Sequence, residues 1–376
     1  KFPWYNFKRI MDEKANKPRF TRRKNKGSLR VNALTEAQKI AFAPFSFQVV
    51  AAMLDFNILQ ELNKTPMTRE QIIKKCRVTK YTAATLLEAA LCIGLVEKDE
   101  ELVFSTTPLS EAFLFDSMTK VNFNFVKDVC YLGASELKNS FEKQEPVGLH
   151  KFFFDSKTIY PMLTQMPEQM KKSWYEFDHH YSDDCFDEVL KIIFENNPSD
   201  IFDIGGNTGK FERACLSFNQ NCCVNMIDLG ENIEAAKKNF DSDRIKFYSL
   251  DILEKENNLP LMKGNEKQKT SVFMSQFLDC FSEEQIISIL NKVAEVSNEF
   301  TRVYILEPFI DNQQFDGARY SLSHISLYFT CMANGCSRMY NEADMLELVE
   351  KSGLKLLNKY NGIGKYDYTL LECIKK

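Results

Sequence analysis

The run Asp200-Ile201-Phe202-Asp203-Ile204-Gly205-Gly206-Asn207-Thr208-Gly209-Lys210-Phe211 constrains this chain more than any other stretch. A short apolar strand runs into a glycine-rich turn that opens a helix, predicted from Phe211 to about Asn219. Glycines at such a turn let the backbone pass close to a ligand, and the helix N-terminus presents free N–H groups. A second strand, Cys223 to Ile227, ends at Asp228, 25 residues after Asp203. An acid at the end of a second strand is placed to take the hydroxyls of a ribose. Strand, helix and strand in this order are the start of βαβ units and a parallel sheet.

The turn also discriminates between ligands. A phosphate-binding loop needs Gly-Lys-Ser/Thr, whereas Gly209-Lys210 is followed by Phe211. The dinucleotide spacing from Gly205 puts Asn207 where the second glycine belongs, which disfavours NAD. The acid before the glycines, Asp203, suits a cofactor with a cationic amino-acid tail, and S-adenosylmethionine meets these requirements. A tight turn without a ligand would leave two well-placed acids as an accident.

With 376 residues the chain is too long for one ordinary core. From Thr35 to about Leu62 the apolar residues recur at helical spacing, interrupted by Pro44. Thr68 caps a helix predicted to reach Lys75, and a second helix runs from about Tyr81 to Gly94. Leu95–Glu97 and Leu102–Phe104 then alternate around Asp99-Glu100 as a hairpin. Helix, turn, helix, hairpin is a winged-helix layout. Its charge argues against DNA, because six basic residues face eight acidic ones between Thr65 and Asp116. A dimerisation or protein-contact role follows instead.

Residues 110–185 read as helical and ring-rich, with Phe123, Phe125, Phe152, Phe153, Phe154, Trp174, Tyr175 and Phe177, and a linking helix runs from Phe186 to Asn196. The predicted organisation is a basic arm at 1–34, a helical winged-helix dimerisation and substrate-capping domain at 35–185, and a cofactor-binding sheet domain at 186–376. Residues 1–30 carry a net charge of +9, against −13 for the rest. That arm reads as a solvated extension rather than a nucleic-acid or membrane anchor. No apolar stretch matches a signal peptide or a membrane span. The eleven cysteines contain no CxxC pair and the histidines number four. No metal site is therefore expected, and free thiols in a reducing cytoplasm are.

Beyond the glycine turn, several segments resemble the two-domain class I S-adenosylmethionine-dependent small-molecule O-methyltransferases, such as the plant phenolic, acetylserotonin and bacterial polyketide enzymes. DIGGNTG at 203–209 is close to that family's D-[VI]-G-G-G-T-G, IDL at 227–229 to its DLP, and Leu250-Asp251-Ile252 to its G-D-[MF]-F. Glu307 in YILEP and MANGCSRMYNEADMLELVEKSGL at 332–354 continue the likeness, which runs from about residue 35 onward. The resemblance implies a doubly wound Rossmann-like sheet, S-adenosyl-L-methionine as cofactor with S-adenosyl-L-homocysteine as product, and a homodimer.

It further implies that Asp203 lies near the methionine amino end and that Asp228 and Leu229 serve the ribose. Gly205, Gly206, Asn207 and Gly209 would form the turn against the cofactor. Asp251 and Ile252 would flank the adenine, with Ser275 nearby, although Asp251 also reads as a plain strand-ending turn carboxylate. Acceptor contacts would come from Phe281, Phe329, Met332 and Asn334, among rings that include Phe309, Phe315, Tyr320 and Tyr328.

One departure stands at the family's catalytic segment, L-H-D/N-W-S-D-E. Here it reads Leu278-Asp279-Cys280-Phe281-Ser282-Glu283-Glu284, with Asp279 at the general-base position and the partner acid Glu307 retained. An ordinary carboxylate, with a pKa near ~4, is a poor base for a phenol near ~10. Burial beside Glu307 would raise it. Three explanations stay open: Asp279 as an altered base, an imidazole from His180 or His324, or transfer by alignment alone. Cys280 reads as a small thiol, not a nucleophile. The expected activity is O-methylation of a small hydroxylated aromatic or polyene-like metabolite. N- or C-methylation, a catalytically altered or inactive binding protein and a winged-helix regulator are the rivals.

Overall fold

The structure, a computed structural model, describes residues 29–152 and 156–376. Most of the basic arm, residues 1–28, together with Phe153 and Phe154 of the ring-rich segment, lies outside the described residues. The chain separates into two compact units at Lys127 and Asp128. That division falls before the change of sequence texture near 185. The intervening segment bonds within the second unit: Ser173 donates to Asp128 Oδ2 at 2.6 Å and Trp174 to the Tyr328 hydroxyl at 2.9 Å.

The first unit begins with α1 (Leu29–Ala41), α2 (Ala43–Asp55) and α3 (Ile58–Lys64), Pro44 sitting in the first turn of α2 where its missing N–H is harmless. After a two-residue strand β1 (Met67–Thr68) come α4 (Arg69–Cys76) and α5 (Lys80–Ile93). Thr68 closes a capping box with Gln71, whose side chain accepts the Thr68 N–H at 2.8 Å. Thr79 caps α5, and Gly94 ends it in the left-handed region at φ +79°. The hairpin β2 (Val96–Lys98) and β3 (Val103–Thr106) follows, β1 pairing antiparallel with the far side of β3. Last come α6 (Pro108–Phe115) and α7 (Ser117–Phe125).

Met53, Ile58, Leu59, Leu62, Ile72 and Leu87 are buried together in this unit's core. By contrast α1 buries none of its residues, and Leu29, Val31, Leu34, Ile40, Phe42 and Phe45 are all exposed. No single helix among the described residues is long and apolar enough to cross a membrane.

In the second unit α8 (Leu137–Lys143), α9 (Glu168–Ser182) and α10 (Phe186–Glu195) precede the sheet. Then alternate β4 (Pro198–Ile204), α11 (Lys210–Phe218), β5 (Cys223–Asp228), α12 (Gly230–Lys237), β6 (Ile245–Ser249) and β7 (Lys269–Ser275). The chain continues through α13 (Glu283–Val296), β8 (Thr301–Glu307), α14 (Asp316–Tyr328), α15 (Glu342–Lys351), β9 (Leu354–Ile363) and β10 (Tyr368–Lys375).

The seven strands lie in the order β6-β5-β4-β7-β8-β10-β9, parallel except for β10, which runs antiparallel to both its neighbours. Period-two alternation sends side chains to two cores. Val272, Met274, Val303 and Ile305 face α13 and α15, while Phe273, Tyr304 and Leu306 face α10 and α11. Strand order reverses between β4 and β7, the place where open α/β sheets bind ligands at the carboxyl ends of their strands. Asp203, Asp228, Ser275 and Glu307 all stand at those ends.

Candidate active site

The glycine turn between β4 and α11 owes its path to what lies against it. Gly205 takes φ +88°, donates its N–H to the Ile227 carbonyl at 2.9 Å, and lies under the Phe277 ring, 2.4 Å from where a Cβ would stand. A Cβ on Gly206 would meet Glu212 Oε1 at 2.3 Å and Asp203 Oδ2 at 3.1 Å. Gly209, at φ +82°, opens α11. Asn207 stands at φ +51°, a region asparagine tolerates better than most residues. Its N–H donates to Asp228 Oδ2 at 2.8 Å and its side-chain amide to Asp178 Oδ2 of α9 at 2.9 Å. Asparagine thus supplies both the backbone conformation and a tie between turn and helix.

Asp228 holds the two loops together. Oδ1 accepts from the Leu229 N–H at 2.6 Å and from Asn232 at 2.8 Å, while Oδ2 accepts from Asn207. A carboxylate offers about four acceptor positions, so one remains for an outside donor. Burial raises the Asp228 pKa against the pull of Asn232, Asn207 and Leu229. Asp203 is buried, and desolvation carries it up to about 7, with the charge of Asp228 adding to the rise. Asp251 accepts the Leu253 N–H at 2.9 Å and so makes the turn after β6, while the neighbouring Ile252 is part of the apolar core. The Ser275 hydroxyl at the end of β7 is buried without a partner.

A second pair of acids follows β7 and β8. Glu307 is buried, and its Oε1 accepts the Phe277 and Leu278 N–H groups at 3.1 and 2.9 Å. Its Oε2 and Oδ1 of the buried Asp279 have no partner. Desolvation lifts Asp279 up to about 7, and desolvation with the Asp279 charge pushes Glu307 well up. Two buried acids so placed retain a proton near neutrality. Asp178 of α9, bonded to the glycine turn through Asn207, also raises the Asp279 pKa by its charge. Burial holds the Cys280 thiol well above its ordinary pKa, which keeps it protonated and unreactive. The buried Tyr160 hydroxyl lies next to the Cys280 thiol.

His180 Nε2 pairs with the Tyr366 hydroxyl at 2.6 Å. His324 is exposed on α14, stacked on Tyr320 with ring centroids 3.9 Å apart and bonded to the Tyr320 carbonyl at 2.7 Å. Of the ring-bearing candidates, Phe309, Tyr328 and Phe329 are buried, whereas Phe315 and Tyr320 stand exposed. Phe123 belongs to the first unit's core, stacked on Phe47. Phe281 packs edge-on against Phe277, centroids 4.9 Å apart. Met332 is fully buried against Gly133. Asn334 donates to the Cys280 carbonyl and the Ser337 hydroxyl, both at 2.8 Å, and accepts from the Cys336 and Ser337 N–H groups at 3.0 Å. Its amide is saturated within the chain and acts on the loop that carries Asp279.

This arrangement agrees with what the chain resembles. The O-methyltransferase domain family matches residues 141–355, more than half of the sequence. The chain belongs to that family. A Dimerisation2-like domain matches residues 35–102 of the methyltransferase. No curated protein matches it significantly. Among solved structures it is similar to the S-adenosylmethionine-dependent methyltransferase SibL, with 18% identity, a TM-score of 0.67, and 91% of this chain and 99% of that one covered. The mitomycin 7-O-methyltransferase MmcR gives 15% identity, a TM-score of 0.68 and coverage of 92% and 99%. NcsB1, an O-methyltransferase from neocarzinostatin biosynthesis crystallised with S-adenosylmethionine and 2-hydroxy-5-methyl naphthoic acid, gives 17%, 0.59, 88% and 96%. At such identities the likeness is one of fold.

Among the described residues of the methyltransferase no cluster of His, Cys, Asp and Glu is arranged to hold a metal. Three residues at the site escape motif reading. Asp178 and Tyr160 come from the helical segment before the sheet, where no motif marks them. Glu212 carries a signal: it lies beside Phe211 and one turn before Cys215, on the face of α11 that packs inward.

Proposed function

We propose that this methyltransferase binds S-adenosyl-L-methionine across the carboxyl ends of β4, β5 and β7, and methylates a hydroxyl of a small aromatic or polyene-like acceptor. The observation that carries the reading is Asp279: buried, with Oδ1 unpartnered and a pKa raised to about 7. A base so tuned matches an acidic hydroxyl far better than an ordinary carboxylate does.

The residues present fit the cofactor. Gly206 leaves no space for a side chain, Asp228 has one acceptor position to spare for a ribose hydroxyl, and Asp203 stands beside the turn with no cation of its own among the described residues. The cofactor supplies an activated methyl on a sulfonium cation. Asp279 takes the acceptor's proton at Oδ1 as the acceptor oxygen gains the methyl. Glu307 keeps the 277–279 turn in place through Oε1, while burial and the charge of Asp178 hold the Asp279 base near neutrality. Buried Phe309, Tyr328 and Phe329 give an apolar setting for a planar acceptor.

The exposed apolar chains of α1 and the start of α2, within the segment matched as Dimerisation2-like or directly before it, are the surface through which two copies pair. Eleven free thiols fit a reducing, cytoplasmic setting. Mass spectrometry with a panel of phenolic and polyene acceptors tests the reaction, a methylated product with stoichiometric S-adenosyl-L-homocysteine being expected. Tight cofactor binding without any product across the panel would replace the enzyme reading with that of a binding protein.

A further inference from the structure

Beneath the glycine turn lies an acid that the reaction does not use. Glu212, in the first turn of α11, is fully buried, and neither of its carboxylate oxygens has a hydrogen-bond partner. Its neighbour across the turn is the almost fully buried Asp203. Both reach the same point, since the position of a Cβ on Gly206 lies 2.3 Å from Glu212 Oε1 and 3.1 Å from Asp203 Oδ2. Among the described residues no lysine or arginine pairs with either. The charges around them are of one sign: Asp228 at the end of β5 acts on both, and Cys215, one turn further along α11, feels both and is held as a neutral thiol.

We propose that Asp203 and Glu212 share one proton under the glycine turn, and that a cationic amino group seated against Asp203 expels it, coupling cofactor binding to proton release. Two bare carboxylates cannot stay together in a dry site without a countercharge, so the ligand-free pair keeps a proton. Burial raising Asp203 to about 7 and Glu212 well above its usual range agrees with this. The first of the two lies at the sheet's ligand edge and the second is fully enclosed. Glu212 therefore acts through Asp203, as a positioning residue. The proposal rests on the reading above that the ligand carries an ammonium group.

Titration calorimetry of the full chain with S-adenosyl-L-homocysteine, in buffers of different ionisation enthalpy, counts the protons released. At neutral pH the wild type is expected to release a substantial fraction of one proton and to bind more tightly as pH rises, by at most about tenfold per pH unit. 5′-Methylthioadenosine, which lacks the amino-acid tail, should bind without release. Glu212→Gln, close in shape but unable to titrate, should still bind S-adenosyl-L-homocysteine while losing most of the release and the pH slope. Unchanged release in Glu212→Gln, or equal release with methylthioadenosine, overturns the proposal. If S-adenosyl-L-homocysteine gives no heat, the functional reading fails, and the ligand-free infrared difference spectrum then decides the acid pair. A protonated-carboxyl band at neutral pH that Glu212→Gln removes supports it, and its absence overturns it. Should Glu212→Gln fold poorly, Glu212→Leu provides the same comparison.

Discussion

Asn334 reaches back 54 residues to donate its side-chain amide to the main-chain carbonyl of Cys280 at 2.8 Å. It also accepts two N–H groups from its own loop, so the turn bearing Asp279 is tied to the segment after α14. Truncating it strands four partners, and each polar group left unpaired costs on the order of 1–3 kcal/mol. Asn334→Ala is expected to lower kcat about tenfold or more while the affinity for S-adenosyl-L-homocysteine stays near wild type. A change confined to the acceptor's KM would instead make Asn334 an acceptor contact.

Asp279→Asn should cut kcat by about 10²–10⁴-fold, the usual worth of a general base. The wild-type rate should rise with pH through about 7, where Asp279 gives up its proton, and level off above. A rate in Asp279→Asn within a few-fold of wild type would point to transfer by alignment alone.

Stability should follow the opposite trend. Asp279 has a folded pKa above its unfolded value, so the stability it lends is complete below about 4 and drains away as pH rises through about 7. In thermal melts between mildly acidic and mildly alkaline pH, Asp279→Asn should lose part of the wild-type decline and be the more stable protein at the alkaline end. The difference there should be on the order of a few kcal/mol. Parallel curves for the two proteins would show that Asp279 ionises freely.

Asp228→Ala removes a charged acceptor from three donors at once. Hydrogen bonds to a charged group are each worth about 1.5–3 kcal/mol, so cofactor affinity should drop by roughly tenfold to a few hundredfold. Isothermal titration reads this directly, and an unaltered Kd would dissociate Asp228 from the ribose.

Gly206→Ala forces a methyl to within 2.3 Å of Glu212 Oε1 in a closed interior. The acid pair or the turn must move, so melting temperature should fall and cofactor affinity should fall more than in Glu212→Gln. Affinity equal to wild type would show that the turn yields freely.

The sheet was legible because its signals are local. Strand, turn and helix around Gly205 are set by apolar alternation and by positive φ at Gly205 and Gly209. In the first unit the caps at Thr68 and Gly94 sit where the residues place them. The division between units was harder to read. Ser173 and Trp174 bond to Asp128 and Tyr328, 45 and 154 residues away, pairings inside the second unit that local patterning does not show. Site residues divide in the same way. Asp203, Asp228, Asp279 and Glu307 end strands or follow them directly, positions that motif spacing can place, whereas the pairings of His180 with Tyr366 and of His324 with Tyr320 are ones that spacing does not encode.

Strand β10 lies between β8 and β9, although it is made after both. On the ribosome, therefore, the hydrogen-bonding edge of β8 stands bare while roughly sixty further residues are translated. An open edge of that kind invites pairing with a neighbouring nascent chain. Expression yield should thus depend on how quickly translation proceeds from α14 to β10, and slow codons in that stretch should be harmful.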